Sequence, residues 1–313
     1  MSTSVRVGTE STATPGGRRE TLLARAARQT GRMGLLFPAV ALMAVFLIGP
    51  IAYSVYGSLT NAALSGYKAA NPEFVGLENY VELLTSGAFW KAVLLTVIFV
   101  FASAVVGQNI LGLALAMLMR KAPKILSTLV GGVVVIAWVM PEIVAAFALY
   151  AFFSTDGTLN VLLSYIGLGG TTWLLTFPMF SVIMANIWRG TAFSMMVYSA
   201  ALAEVPPEIQ EAAKVDGARG WQRFFFVTLP MIKGSISTNL LLTTLQTLGV
   251  FTLLWVMTGG GPGTQSTTLP VMAYQEAFKN SLIGYGTAIA TVTIVLGALF
   301  ALVYIRALKP EVD

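Results

Sequence analysis

An all-α membrane protein that crosses the bilayer several times is the fold class the sequence predicts, and three observations predict it. Hydrophobic residues make up 56% of the 313 and charged residues only 11%, against about 25% charged in an ordinary soluble domain. Apolar runs long enough to cross a bilayer recur along the whole length. Lys and Arg gather on alternate connections between those runs, as they do in polytopic proteins. Cys and His are both absent. That excludes disulfides, thiol chemistry, zinc sites of the usual ligand types and any Ser-His or Cys-His catalytic pair.

Taken in order, residues 1–33 form a basic tail rich in Ser, Thr, Gly and Arg. A signal peptide is the alternative, but the apolar run that follows is too long and no small-residue cleavage site closes it. Six spans are expected: about 34–59, with Pro38 near its start and Pro50 as a kink; 92–119; 125–153, interrupted at Pro141; 173–202; 231–257; and 282–305. Each crosses a core of about 30 Å at 1.5 Å per residue. Residues 34–309 thus form one membrane domain. The connection at 60–91 includes FVGLENYVELL, whose apolar spacing predicts a small interfacial helix, and that at 154–172 predicts a second one. The stretch from Thr258, TGGGPGTQSTTLP, lacks the Gly-Lys-Ser/Thr ending of a phosphate-binding loop and reads as a flexible external turn.

Orientation follows from the positive residues, which stay on the cytoplasmic side. With the N-terminus inside, inner segments hold six Arg in the tail, then Arg120, Lys121, Lys124, Lys214, Arg219, Arg223, Lys233, Arg306 and Lys309; outer segments hold Lys68, Lys91 and Lys279. Fifteen against three puts both termini inside. The net charge of +5 is then a topology signal, and no nucleic-acid partner is expected.

One polar segment interrupts the pattern, EVPPEIQEAAKVDGARGWQRFFFVTLP over residues 204–230. It falls between spans four and five, on the cytoplasmic side. Pro206 and Pro207 suit a helix start, Glu208 sits where the helix dipole favours an acid, and Ile209, Ala212 and Ala213 share one face. Gly217 stops the helix, because glycine reaches positive φ without strain. A second helical stretch over 221–228 leads back to the membrane.

Glu211-Ala212-Ala213, three residues, Gly217, nine residues, then Val227-Thr228-Leu229-Pro230 resembles the EAA motif of bacterial ABC importer permeases. The one departure is Val227, where that pattern has isoleucine. FVGLENY, NIWRGTAF and TGGGP extend the resemblance over most of the chain outside the tail, to the maltose-permease type of carbohydrate importer. The resemblance implies a permease subunit without catalysis of its own, working by alternating access with a second permease subunit, two ATP-binding subunits and an external solute-binding protein, in the bacterial cytoplasmic membrane. ATP and Mg would be bound by the partner ATPase subunits, and this chain would carry no cofactor or metal. Glu211, Ala212, Ala213, Asp216, Gly217, Leu229 and Pro230 would couple to the ATPase. This chain lacks a P-loop of its own, which agrees.

Two polar features lie inside the spans, where polar groups are costly and face the bundle interior. Arg189, in Asn186-Ile187-Trp188-Arg189-Gly190, needs a carboxylate, backbone carbonyls or a water-filled cavity, and Glu142 after Pro141 is a possible ion partner. On span five, Asn239, Thr243, Gln246, Thr247 and Val250 share one helix face, which either lines a cavity or bonds to neighbours. The resemblance implies substrate contacts at Asn186, Arg189, Gly190 and Phe193 and at Thr243, Gln246, Thr247 and Val250. Trp188 or Phe193 would stack on a sugar ring. The cargo implied is a carbohydrate; Arg189 suits a phosphorylated polyol such as glycerol 3-phosphate equally. A stand-alone secondary transporter would instead need inverted repeats and a coupling acid, a task only Glu142 fits, and it would leave the EAA segment without a role.

Overall fold

The computed structural model describes residues 37–307, and the basic tail and Lys309 lie outside them. The described residues are helical, with one isolated bridge, Thr60 to Phe74, as the only extended pairing among them. The chain divides into two units, Met1–Tyr53 and Ser54–Asp313.

Helix α1, Phe37–Ser58, has every large apolar side chain of its first unit exposed, including Phe37, Phe46 and Leu47. Its turn at Ala44–Ile48 is a π-helix. This widened turn lies just before Pro50, whose missing N–H leaves the preceding carbonyls to be accommodated.

In the second unit, the first connection holds α2 (Tyr67–Ala70) and α3 (Glu78–Thr85), the short helix expected there. Asn79 fixes α3 by donating to the carbonyls of Ser58 and Thr60, each at 2.8 Å. Helix α4 runs from Gly87 to Lys121 without a break, five residues earlier than expected, because Ser86 accepts from Phe89 N and caps it. Its middle, Val100–Gln108, is a π-helix.

The third expected span is two helices, α5 (Lys124–Val139) and α6 (Glu142–Phe153), separated at Met140-Pro141. Helix α7 (Thr158–Tyr165) is the second short connecting helix. The fourth span is likewise preceded by its own turn, α8 (Trp173–Thr176), and starts at Pro178 rather than at residue 173; α9 then runs Pro178–Ala203. The polar segment folds as α10 (Pro207–Val215) and α11 (Gly220–Met231). At Ile232 the chain bends by 70° into α12 (Lys233–Leu248). The expected fifth span breaks again at Gly249–Phe251 before α13 (Thr252–Thr258). Helix α14 starts at Leu269 and continues to Lys279, and α15 is Ile283–Ala307.

Four helical stretches among the described residues are long and apolar enough to cross a membrane: α1, α4, the stretch Glu142–Tyr165 that holds α6 and α7, and α15; the bent pair α11–α12 makes a fifth if it counts as one. The 26-residue α9 has the length but less apolar character, and its polar side chains turn out to build the centre of the bundle. Three apolar clusters hold that bundle: Phe99, Val182 and Leu254; Ala116, Met195 and Ile232; and Leu83, Phe89 and Leu269. Helices α4 and α9 cross closely because Gly112 presents no side chain to Ser194, the small-residue contact typical of membrane helices.

The TGGGP turn differs from the flexible turn expected. Gly259, Gly260 and Gly263 have φ of 61°, 89° and 59°, and Gly260 O accepts from Thr267 Oγ1 at 2.9 Å while Ser266 Oγ reaches Thr258 Oγ1 at 2.8 Å. Ser266, Thr267 and Thr268 are buried. The Ser266 and Thr267 hydroxyls replace the secondary-structure bonds the turn lacks, so the segment is packed rather than loose.

Candidate coupling loop and intramembrane polar site

The coupling candidates are built on α10. Pro207 occupies its first position, Glu208 is in its first turn and Lys214 in its last, each on the side the helix dipole favours. Gly217 ends it with φ 82°. Gly217 N donates to Lys214 O at 3.1 Å and Ala218 N to Ala213 O at 3.0 Å, the paired bonds of a Schellman cap. An added Cβ at Gly217 would meet nothing within 4 Å, so glycine is needed for its backbone angle and not for space.

Glu211, Ala212 and Asp216 are exposed and Ala213 is half-buried. Helix α10 therefore presents Glu211 and the small side chain of Ala212 outward. One side-chain bond ties it to α11: Gln210 Nε2 donates to Thr228 Oγ1 at 2.8 Å. Leu229 and Pro230 close α11 just before the bend at Ile232.

The intramembrane candidates converge on a buried polar network joining α4, α9 and α12. Asn186 Nδ2 lies 2.8 Å from Ser103 Oγ and 3.3 Å from Thr247 Oγ1. Gln108 Nε2 donates to Asn186 O at 3.1 Å, and Gly190 leaves the room that the Gln108 amide occupies. One turn along, Asn239 Nδ2 is within reach of Asn109 Oδ1 (2.7 Å), Ser194 Oγ (2.9 Å) and Tyr198 OH (3.2 Å). Tyr198 also donates to Asn109 Oδ1. Asn109 Nδ2 donates to Ala104 O at 2.6 Å, five residues back, within the π-helical register. That register lets the consecutive residues Gln108 and Asn109 both point into the bundle.

On α12, Asn239, Thr243 and Thr247 are buried and bonded within the chain, so the polar stripe bonds to its neighbours along this line. Gln246 is exposed, and Val250 packs at the edge of an apolar cluster. Trp188 is 44% exposed. Phe193 stacks on Trp138 of α5, ring centres 6.0 Å apart at 29°.

Arg189 is half-buried, and its Nε is fully buried with no hydrogen-bond partner among the described residues. The ion pair with Glu142 is not formed. Glu142 Oε1 instead accepts from Leu253 N at 3.3 Å, in the first turn of α13, where a helix N-terminus attracts an acid. The break at Pro141 positions Glu142 for that cap.

Sequence reasoning named Asn186, Asn239, Thr243 and Thr247 but missed Ser103, Gln108, Asn109, Ser194, Tyr198 and the stacking partner Trp138. A readable signal existed for two of them: Gln108-Asn109 is an adjacent amide pair in the middle of a 35-residue apolar helix.

Residues 108–313 match the family model described as binding-protein-dependent transport system inner membrane component. The trehalose/maltose transport system permease of Thermococcus litoralis is 32% identical over 275 residues, 87% of this chain and 91% of that protein. The sulfoquinovosyl glycerol transport system permease of Agrobacterium fabrum is 33% identical over 285 residues, 88% of this chain and 90% of that one. Among solved structures, a chain of the bacterial alginate ABC transporter, in complex with an alginate-pentasaccharide-bound periplasmic protein, superposes with TM-score 0.76 at 24% identity. The match covers 93% of this chain and 98% of that one, and shows a shared fold. The loop geometry, the helical bundle and these matches agree: the chain belongs to the family of inner-membrane permease components of binding-protein-dependent ABC transport systems.

Proposed function

We propose that this chain is one of two permease subunits of an ATP-driven importer in a bacterial cytoplasmic membrane. It forms half of the pathway for a carbohydrate handed over by an external solute-binding protein. In this reading six spans put both termini and residues 204–230 in the cytoplasm. There α10 docks on a partner ATPase subunit, which binds ATP and Mg. ATP-driven movement of the ATPase pair is passed to the spans through α10 and α11, and the permease pair alternates between inward- and outward-facing states.

The observation that carries this reading is the capped α10, held out with Glu211 and Ala212 exposed and tied to α11 by Gln210. A solvated loop without a partner gains nothing from that construction. The sugar-named relatives support the carbohydrate assignment. Uptake by the complete complex in proteoliposomes tests it: transport should require ATP, and Glu211→Ala should abolish it without reducing the amount of chain inserted. Sugar transport by this chain alone, without ATP, would refute the reading in favour of a secondary transporter.

A second cargo reading, an anionic polyol such as a glycerol phosphate, is favoured by one observation: the buried Arg189 Nε has no hydrogen-bond partner among the described residues. Competition of uptake by glycerol 3-phosphate against neutral disaccharides separates the two.

A further inference from the structure

At the end of the bundle that carries the coupling loop, a cavity of about 600 Å³ opens between the last turn of α4 and the elbow helix α11. Arg120, Lys121 and Arg223 line it, together with the aromatic side chains of Trp221, Phe224 and Phe225, and no Asp or Glu among the described residues lines it. Arg120 spends one N–H on Leu202 O at 3.0 Å, which fixes its guanidinium at the rim and leaves its other donors free. Arg223 Nε is fully buried and has no hydrogen-bond partner among the described residues. Three cations facing one cavity repel each other, and a buried guanidinium N–H left unbonded is costly. The first cost is removed by a single anion with several acceptor oxygens, since a guanidinium pairs such oxygens bidentately.

The surroundings indicate which anion. Trp221, Phe225 and Phe226 are 57%, 56% and 72% exposed at this end, and exposed aromatics next to Lys and Arg mark the headgroup level of a membrane. We propose that this cavity binds the phosphate headgroup of an anionic phospholipid of the cytoplasmic leaflet. The assignment rests on the proposed topology, which places the coupling loop on that side. Gln210 and Thr228, whose hydrogen bond ties α10 to α11, also line the cavity. A headgroup seated there therefore touches the link between the coupling helix and the spans, and lipid composition becomes a control on coupling.

The test is lipid retention by the complete transporter, purified from lipid nanodiscs and weighed intact by native mass spectrometry. Nanodiscs of phosphatidylcholine with an equal part of phosphatidylglycerol should yield complexes that keep phosphatidylglycerol in preference. Each basic residue near an anionic surface contributes about fivefold in affinity. Lys121→Gln should therefore weaken retention about fivefold, and Lys121→Gln with Arg223→Gln roughly 30-fold. Lys121 is exposed, so the single variant keeps the test open if the double variant fails to assemble. Equal retention by wild type and Lys121→Gln overturns the proposal. So does displacement of the lipid by millimolar inorganic phosphate, which would make the ligand a soluble phosphate. Retention is read without ATP or cargo, so failure of the importer reading leaves this result interpretable.

Discussion

Removing the Asn239 side chain should loosen the bundle by a calculable amount. Asn239 is 0% exposed, and its Nδ2 can serve two of the three acceptors around it, Asn109 Oδ1, Ser194 Oγ and Tyr198 OH. Hydrogen bonds between membrane helices contribute about 0.6 kcal/mol on average and up to about 1.7, so two give about 1–3 kcal/mol. The void left by Asn239→Ala adds about 1 kcal/mol. A loss of about 2–4 kcal/mol corresponds to a fall in Tm of about 4–8 °C for a chain of this size, read by tryptophan fluorescence on the detergent-purified transporter. Because Tyr198 OH bonds into the same cluster, Tyr198→Phe should be non-additive with Asn239→Ala by at least about 0.5 kcal/mol. A Tm within 1 °C of wild type, or additive single changes, would show that the network does not clamp these helices.

Three further outcomes are expected. Gly217→Ala meets no steric obstacle but forces an L-residue to φ 82°, at about 1–2 kcal/mol. It should lower ATP-driven uptake with normal insertion, Gly217→Asn should retain more uptake than Gly217→Ala, and equal uptake by all three would dismiss the cap. Gln210→Leu removes the bond to Thr228 at a cost of about 1 kcal/mol. It should raise basal ATPase activity relative to transport, and an unchanged ratio of the two would argue against a mechanical link. Arg189→Ala should change the KM for uptake while Arg189→Lys restores part of it; lost stability with an unchanged KM would make Arg189 a packing residue.

Much of this was legible because hydropathy reports membrane burial directly. The loop helix, its cap at Gly217 and the short connecting helices follow from local signals: proline at a first helical position, glycine at positive φ and apolar spacing. Helix interruptions were less legible. Pro141 marked one break correctly; at the other, the only local signal is Gly249, directly after the last residue of α12, and a single glycine inside an apolar run is a weak stop. The Arg189–Glu142 pair failed for a related reason. Charge complementarity ignores that a carboxylate at a helix break has a competing partner, the free N–H groups of a neighbouring helix end. The amide network was half legible, since a polar stripe on one helix cannot name its partners on two others until a π-turn sets their register.

The network also limits where the molecule bends. Helices α9 and α12 enter and leave the loop of residues 204–230, and Asn239 and Asn186 bind them to one another and to α4. Helices α10 and α11 are bound to each other by Gln210. Between these two blocks the chain passes through Val205 on one side and Ile232 on the other, both buried in the same apolar cluster with Met195 and Leu202. The side chains of Val205 and Ile232 pack by apolar contact alone, which permits a pivot that the amide clamp resists, so motion of the loop should turn about the Val205–Ile232 line. Spin labels at Ala203 and Leu242, exposed on α9 and α12, should keep their separation through the ATP cycle. A label at Val215, 87% exposed on α10, should move against Leu242 by several ångströms. A fixed Val215–Leu242 distance combined with a changing Ala203–Leu242 distance would place the bend inside the clamp, and the network would then be the moving part.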